Sequence, residues 1–94
     1  MRDYEVIFVV NPDMDENSFK ELVERVTNWI KEAGGTVSKV DLWGKRQLAY
    51  MIRKKKEGQY VLIESNMAPS FCADLERNLR LTEPVMRFLI VQKN

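Results

Sequence analysis

The sequence contains no histidine and a single cysteine, Cys72, among its 94 residues. Without histidine or a cysteine cluster, most zinc sites and every Ser-His or Cys-His nucleophile arrangement are excluded. Cys72 has no second cysteine with which to form an internal disulfide or a redox pair. Because the usual routes to hydrolytic catalysis are missing, we expect a protein that is not an enzyme and that needs no cofactor.

Long apolar runs are missing too. No uninterrupted apolar segment approaches the roughly 18 residues of a membrane-spanning helix, and the chain starts with Arg2 and Asp3 instead of a cleavable signal. Hydrophobic residues make up 45% and charged residues 31%, as in ordinary soluble globular proteins. We therefore expect a cytoplasmic protein with no membrane segment, folded as one domain over residues 1–94.

Charge is unevenly distributed, although the net charge is only +1. Residues 1–44 carry five basic and nine acidic side chains, whereas residues 45–94 carry ten basic and five acidic ones. Such a bipolar molecule could set one side against a polyanion and keep the other in solvent. Many solvated proteins have an equally uneven charge distribution.

The most basic segment runs from Trp43 to Lys56 and contains six cations and no carboxylate. Within it, Leu48, Tyr50 and Ile52 alternate with other residues at the period of a strand. Two interpretations fit this pattern: a solvated hairpin tip whose lysines maintain solubility, or a phosphate-binding projection. The segment alone does not decide between them.

Alternating β-branched and aromatic residues predict strands over residues 4–10, 36–52, 59–66 and 85–91. A phase change in the second strand predicts a bulge between Ser38 and Gly44. The second and third strands are expected to form a hairpin that projects past the sheet, with lysines near its tip.

Apolar residues at helical spacing predict two helices. The first has Asp15 as its N-cap and ends at Gly34-Gly35, with Ala33 on its buried side. The second begins at Pro69-Ser70 and ends before Pro84, and we expect Cys72 to be a small buried hydrophobe on it.

The order strand, helix, strand, strand, helix, strand predicts an α+β fold. It is the βαββαβ pattern of the ferredoxin-like sandwich, a four-stranded antiparallel sheet with two helices on one face. Strands one and three should be central, and strands two and four should form the edges. The fold does not decide the function, because it serves RNA readers, small-molecule regulators, metal carriers and a few enzymes.

Three segments carry a resemblance to a known family: Met1-Arg-Asp-Tyr-Glu5 with Asn11-Pro12, Trp43-Gly-Lys-Arg-Gln-Leu-Ala-Tyr50, and Arg80 with Val85-Met-Arg87. Together they closely resemble the bacterial ribosomal small-subunit protein six family, over essentially the whole chain. One departure is Met51, because the family usually has a proline after the Ala-Tyr pair.

The resemblance implies a structural, non-catalytic component of the small ribosomal subunit in the cytoplasm. It implies binding to the central domain of 16S ribosomal RNA, as a heterodimer with ribosomal small-subunit protein eighteen and without a small-molecule substrate. The RNA-contacting residues that it implies are Arg2, Tyr4, Lys45, Arg46, Arg80 and Arg87. Charge alone adds Lys54, Lys55 and Lys56.

A protein partner would need apolar contacts flanked by cations. Four residues of the projecting strand could supply them, or could instead complete the core: Trp43, Leu48, Tyr50 and Met51. The alternative function is a small-molecule-binding regulatory module of the same fold, with its ligand at a dimer interface.

Overall fold

The computed structural model describes residues 1–93, and its elements follow the predicted order. They are β1 (Arg2–Val10), α1 (Glu16–Glu32), β2 (Thr36–Ile52), β3 (Lys55–Met67), α2 (Phe71–Leu81) and β4 (Val85–Gln92). The one large difference in bounds is that β3 begins at Lys55 instead of residue 59. The basic run Lys54-Lys55-Lys56 is therefore split between a turn and a strand.

The strands form one antiparallel sheet in the order β2-β3-β1-β4. This order confirms the predicted ferredoxin-like arrangement, with β1 and β3 at the centre and β2 and β4 at the edges. Because the strands are antiparallel, the end of β1, the start of β4 and the β2–β3 turn lie at the same end of the sheet. That end brings the basic segment close to elements that are distant in sequence.

Local sequence explains where α1 begins and ends. Asp15 is the N-cap, and its carboxylate accepts a hydrogen bond of 3.4 Å from the Ser18 backbone N–H. Gly34 follows the helix with φ of +87°, a left-handed conformation that glycine adopts without steric cost. The prediction for Ala33 was wrong: it is exposed, because it is the C-cap and lies beyond Glu32, the last residue of the helix.

The core lies between the helices and one face of the sheet. Its members are alternating strand residues and one stripe of each helix: Tyr4, Val6, Phe8, Val10, Phe19, Leu22, Val23, Val26, Ile30, Val61, Ile63, Met67, Leu75, Leu79 and Val85. Burying a side chain as large as Phe8 stabilises the fold by about 1.5–3 kcal/mol. Cys72 is only half-buried at the edge of this core, so its predicted burial is partial.

The other face of the sheet carries no helix, and we call it the open face. Residues that share it pair across the strands, as Val9 does with Tyr60 of β3 and with Arg87 of β4. Ile7 pairs in the same way with Leu62 and Leu89, so this face mixes apolar and charged side chains. Side chains on the open face are accessible to ligands unless another part of the chain covers them.

The predicted bulge in β2 is confirmed, and there are two irregularities within the predicted region. The β2–β3 register skips Ser38, between Val37 and Lys39, and then Trp43, between Leu42 and Gly44. Gly44 has φ of +80°, the conformation expected of glycine at a bulge. The strand consequently bends and twists before it enters the basic segment.

Candidate nucleic-acid interface

The β2–β3 hairpin extends beyond the sheet, as predicted. Pairing of β3 with β1 ends at Gln59, whereas pairing of β3 with β2 continues to Lys55. Lys45 lies opposite Gln59, at the point where β2 leaves the sheet, and we call residues 45–58 the hairpin arm. The arm ends in a two-residue turn, Arg53-Lys54, between the paired residues Ile52 and Lys55.

The turn has an unusual composition for its geometry. Arg53 and Lys54 have φ of +51° and +65°, and a turn with two left-handed residues normally contains Asn, Asp or Gly. Arginine and lysine are less stable than glycine in this conformation, because a left-handed backbone brings the Cβ atom too close to the neighbouring backbone. The conformation therefore needs support from contacts elsewhere in the fold.

An excursion of β2 from its regular pairing with β3 lies just before the turn. The register passes from Gln47 opposite Glu57 to Ile52 opposite Lys55, so that residues 48–51 have only Lys56 across from them. Met51, where the family usually has proline, falls within this excursion and is 53% exposed. Because Met51 has no partner in the β2–β3 register, its backbone N–H is not needed for pairing with β3, and this is the kind of strand position that tolerates proline.

The arm leans over the open face. A Cβ at Gly58 would lie 2.2 Å from Cγ1 of Val9 and 3.6 Å from Cδ2 of Leu48. The missing side chain thus leaves room for Val9 and Leu48 to approach each other. Val9 is only 4% exposed although it lies on the face without helices, which is consistent with cover from the arm.

Two arginine contacts join the arm to the beginning of β4. Arg53 donates hydrogen bonds from its two terminal nitrogens to the carbonyls of Glu83 (2.6 Å) and Val85 (3.2 Å). Arg87 donates to the Tyr50 hydroxyl at 2.6 Å, and its guanidinium lies 5.4 Å from the centroid of the same ring. The tip of an edge hairpin is therefore held near the opposite edge of the sheet.

A third contact joins the arm to the loop after β1. The Lys55 ammonium forms a salt bridge with the Asp13 carboxylate. This hydrogen bond and the charge of Lys55 hold the pKa of Asp13 below its usual range, and Lys45 lowers it further. Lys55 is therefore engaged within the protein, unlike most of the cations around it.

Most basic residues of the segment lack an acidic partner. Within the described residues 1–93, the cations that form salt bridges are Lys20, Lys55, Arg77 and Lys93. All the predicted RNA-binding cations except Lys55 are exposed and absent from these pairs, and four of them belong to the arm: Lys45, Arg46, Lys54 and Lys56. Arg46 makes one internal hydrogen bond, from its Nε to the Trp43 carbonyl at 3.3 Å.

Of the other predicted RNA-binding cations, Arg2 and Arg80 lie apart from this group. Arg2 pairs with Met67 at the far end of the sheet. Arg80 lies on the helix side, where its guanidinium is 5.7 Å from the Phe88 ring, whereas Arg87 lies on the open face. The structure thus brings together the arm cations and Arg87, but not Arg2 or Arg80.

Tyr4 lies in the core and is 6% exposed. A hydrogen bond with the Cys72 thiol, together with burial, raises the pKa of the Tyr4 hydroxyl. Its ring therefore offers no stacking surface to a nucleic acid. The alternation of Tyr4 with Val6 and Phe8 along β1 is the sequence signal for this location.

The residues predicted for a protein partner lie beside or on the arm. Trp43 stacks on Tyr60 of the open face with ring centroids 6.1 Å apart, and its indole N–H donates to Asp41 at 3.0 Å. Tyr50 and Met51 are 60% and 53% exposed, while Leu48 is half-buried. Tyr50 and Met51 are therefore accessible to a partner, whereas Leu48 is partly used by the fold itself.

Sequence reasoning missed two exposed apolar residues of β4, Leu89 and Val91, which extend the apolar surface across the open face. Their signal was the two-residue spacing from Arg87, since residues i, i+2 and i+4 of a strand share a face. A shallow groove of about 230 Å³ lies between Tyr60, Arg87 and Leu89, with Ile7 and Val9 at its base. The open face therefore offers a partner apolar contact bordered by cations.

Other kinds of site are not found in the described part of the chain. Residues 1–93 contain no group of three or more His, Cys, Asp or Glu side chains placed to hold a metal ion. Among the same residues, neither helix is long and apolar enough to cross a membrane.

The sheet, its two helices and the projecting basic hairpin define a small ferredoxin-like α+β protein. The family model for ribosomal protein S6 matches residues 3–92. The chain belongs to the ribosomal protein S6 family. It is accordingly a structural, non-enzymatic component of the small ribosomal subunit, located in the cytoplasmic ribosome.

Individual relatives agree with this assignment. Small ribosomal subunit protein bS6 of Caldanaerobacter subterraneus subsp. tengcongensis is 48% identical over 92 residues, which cover 98% of this chain and 97% of the relative. The protein of the same name from Moorella thermoacetica is 44% identical over 92 residues, covering 98% and 94%. The crystal structure of 30S ribosomal protein S6 from Thermotoga maritima superposes with a TM-score of 0.93 at 33% identity, covering 98% of this chain and 87% of that one.

Proposed function

We propose that the protein binds the central domain of 16S ribosomal RNA and that the hairpin arm is the main contact. The observation that carries this proposal is the group of exposed cations without acidic partners: Lys45, Arg46, Lys54 and Lys56. They lie on a projection that can enter a groove or junction of folded RNA. The other interpretation of the sequence was a hairpin tip whose lysines only maintain solubility. Such a tip would not need the contacts that hold the arm to the rest of the protein.

The chemistry of the arm suits folded RNA. Structured RNA is held largely through phosphates, 2′-hydroxyls and shape, for which arginine and lysine side chains suffice. If each of the four arm cations neutralises one phosphate, the slope of log K against log salt should be roughly −3. Affinity should then fall roughly 50-fold between 50 and 200 mM salt.

A partner protein is part of the proposal, because a net charge of +1 limits what this chain can gain alone. We propose ribosomal small-subunit protein eighteen as the heterodimer partner, on the open face beside the arm. Trp43, Tyr50, Met51 and the newly found Leu89 would supply apolar contacts, with the cations at the rim.

The proposed interface is narrower than the sequence suggested. Tyr4 is left out because its ring is buried. Arg2 and Arg80 stay predictions, as contacts to RNA that extends beyond the arm. Lys55 is assigned mainly to its salt bridge with Asp13 and not to RNA. The RNA-binding unit is proposed to be the whole chain, residues 1–94, because a single core joins the sheet to both helices and the arm is a continuation of two strands of that sheet.

A filter-binding titration tests the function. The full chain is titrated against purified small-subunit ribosomal RNA from 50 to 200 mM salt, with and without ribosomal small-subunit protein eighteen. We expect weak binding by the chain alone and tighter, salt-sensitive binding with the partner. Absence of salt-sensitive binding in the presence of the partner would contradict the proposal.

A further inference from the structure

The arm reaches sideways across the sheet. Neighbouring strands lie about 4.8 Å apart, so the start of β4 is about 10 Å from β3, with β1 between them. The lean of the arm across the open face and the length of the Arg53 side chain together cover this distance, and Arg53 contacts Glu83 and Val85. Sequence reasoning counted Arg53 among the basic residues but gave it no role.

We propose that Arg53 is a positioning residue for RNA binding, a proposal that rests on the function proposed above. Its guanidinium holds the arm in one orientation, so that Lys54 and Lys56 face the RNA in a fixed arrangement. The proposal assigns Arg53 to the protein and not to a phosphate, because two of the five N–H donors of its guanidinium, one on each terminal nitrogen, already donate to backbone carbonyls.

The shape of the side chain explains why arginine is needed. A guanidinium is planar and presents several N–H donors at once, so it can satisfy two carbonyls on either side of Pro84. A lysine ammonium is a single point on a flexible stem and would hold the arm less firmly. At the neighbouring turn position, Lys54 has no such contact and is exposed.

The other two connections of the arm support the same interpretation. Arg87 with Tyr50 lies on the β2 side of the turn, and Lys55 with Asp13 lies on the β3 side. An isolated two-stranded hairpin is at best marginally stable in water. Binding to a mobile arm would require ordering it first, which weakens affinity, whereas an arm held in place avoids that cost.

Two substitutions that conserve charge test the role. Arg53→Lys keeps the charge but removes the paired hydrogen bonds to the two carbonyls, whereas the matched control Arg25→Lys makes the same change at an exposed position of α1, outside the arm. Both full-length variants are titrated against small-subunit ribosomal RNA with the partner protein, at several salt concentrations. Amide hydrogen exchange of residues 53–57 is measured in the free proteins.

We expect Arg53→Lys to bind roughly three- to tenfold more weakly, with an unchanged salt slope and faster amide exchange in the arm. Arg25→Lys should match the wild type in affinity, slope and exchange. Lys54→Gln should instead reduce the slope by about 0.7 to 0.9, because one phosphate is no longer neutralised. The different responses of the two neighbouring residues separate positioning from direct binding.

The opposite outcomes overturn the proposal. If Arg53→Lys binds as well as wild type, Arg53 does not position the arm for RNA. Tighter binding would show that Arg53 restrains the arm away from RNA, and a reduced slope would make Arg53 a phosphate ligand. If wild type binds RNA without salt sensitivity, the proposed function fails and the positioning role fails with it; wild-type binding with an unaffected Arg53→Lys variant rejects the positioning role alone.

Discussion

At the scale of single residues, some cations form salt bridges with acids of the protein and others do not. Lys20, Arg77 and Lys93 neutralise acids on the protein surface, and exposed pairs of this kind contribute little to stability. Lys45 and Arg46, in contrast, are exposed without an acidic partner among the described residues. Unpaired cations on a projection gain more from a polyanion than paired ones do, since no internal salt bridge has to be broken.

Neutralising Lys45 and Arg46 should therefore change the salt dependence of RNA binding. In the double variant Lys45→Gln/Arg46→Gln, we expect the slope of log K against log salt to become shallower by about 0.7 to 0.9 for each phosphate that is no longer neutralised. The matched control is Lys31→Gln, in the last turn of α1, which should leave the slope unchanged. An unchanged slope in the double variant would remove both residues from the interface.

The pair Glu64 and Lys93 gives a prediction about pH. The hydrogen bond and charge of Lys93 lower the pKa of Glu64, and the same interaction raises the pKa of Lys93. The stabilisation is present above the usual glutamate pKa and is lost as pH falls through the lowered value; for Lys93 it is present below the usual lysine pKa and lost as pH rises through the raised value. The pair should thus stabilise the fold across neutral pH.

An NMR titration of the Glu64 carboxyl checks whether Lys93 is the main cause of its lowered pKa. Lys93→Met should bring the pKa of Glu64 back up towards its usual range. Lys39→Met should raise it less, because Lys39 is a weaker contributor that acts through charge alone. Equal shifts in the two variants would show that general charge, and not the hydrogen bond, sets the pKa.

At the scale of elements, the hairpin arm depends on the absence of a side chain at Gly58. A Cβ there would lie 2.2 Å from Cγ1 of Val9, a β-branched side chain with little freedom to move. We expect Gly58→Ala to destabilise the protein by about 1–3 kcal/mol, as overpacking does elsewhere. Urea unfolding monitored by circular dichroism measures the change.

A double-mutant cycle identifies the cause of that destabilisation. Val9→Ala removes the clashing methyl group, so Gly58→Ala/Val9→Ala should be more stable than the sum of the two single changes implies. Additive effects would mean that the close approach of Gly58 and Val9 does not determine the path of the arm.

The elements could be predicted from sequence because their signals are local. The two-residue period of β1 and the helical spacing of α1 require no knowledge of the rest of the chain. The same period puts Tyr4 on one face of β1 with Val6 and Phe8, and the structure shows that this face is in the core, whereas the resemblance to a family suggested that Tyr4 contacts RNA. The direction of the arm could not be predicted, since Arg53 bonds to a carbonyl 30 residues later in the chain.

At the scale of the whole molecule, the cations of the hairpin arm are concentrated at one end of the sheet, where β2 turns into β3. The exposed acids of α1 lie on the helix side of the sheet: Glu16, Glu21, Glu24 and Glu32. The arm leans towards the open face, on the other side. This arrangement favours the approach of a polyanion from the arm, which would orient a molecule of net charge +1 on RNA if the proposed function holds.

The reactivity of individual lysines in intact small ribosomal subunits tests most directly whether the arm binds RNA. Acetylation rates are compared between the free protein and the protein within subunits, with mass spectrometry to locate the modified residues. We predict that Lys45, Lys54 and Lys56 become protected, while Lys20 and Lys31 of α1 react as they do in the free protein. Arm lysines that react equally fast in both states, with protection on α1 instead, would contradict an RNA-binding arm.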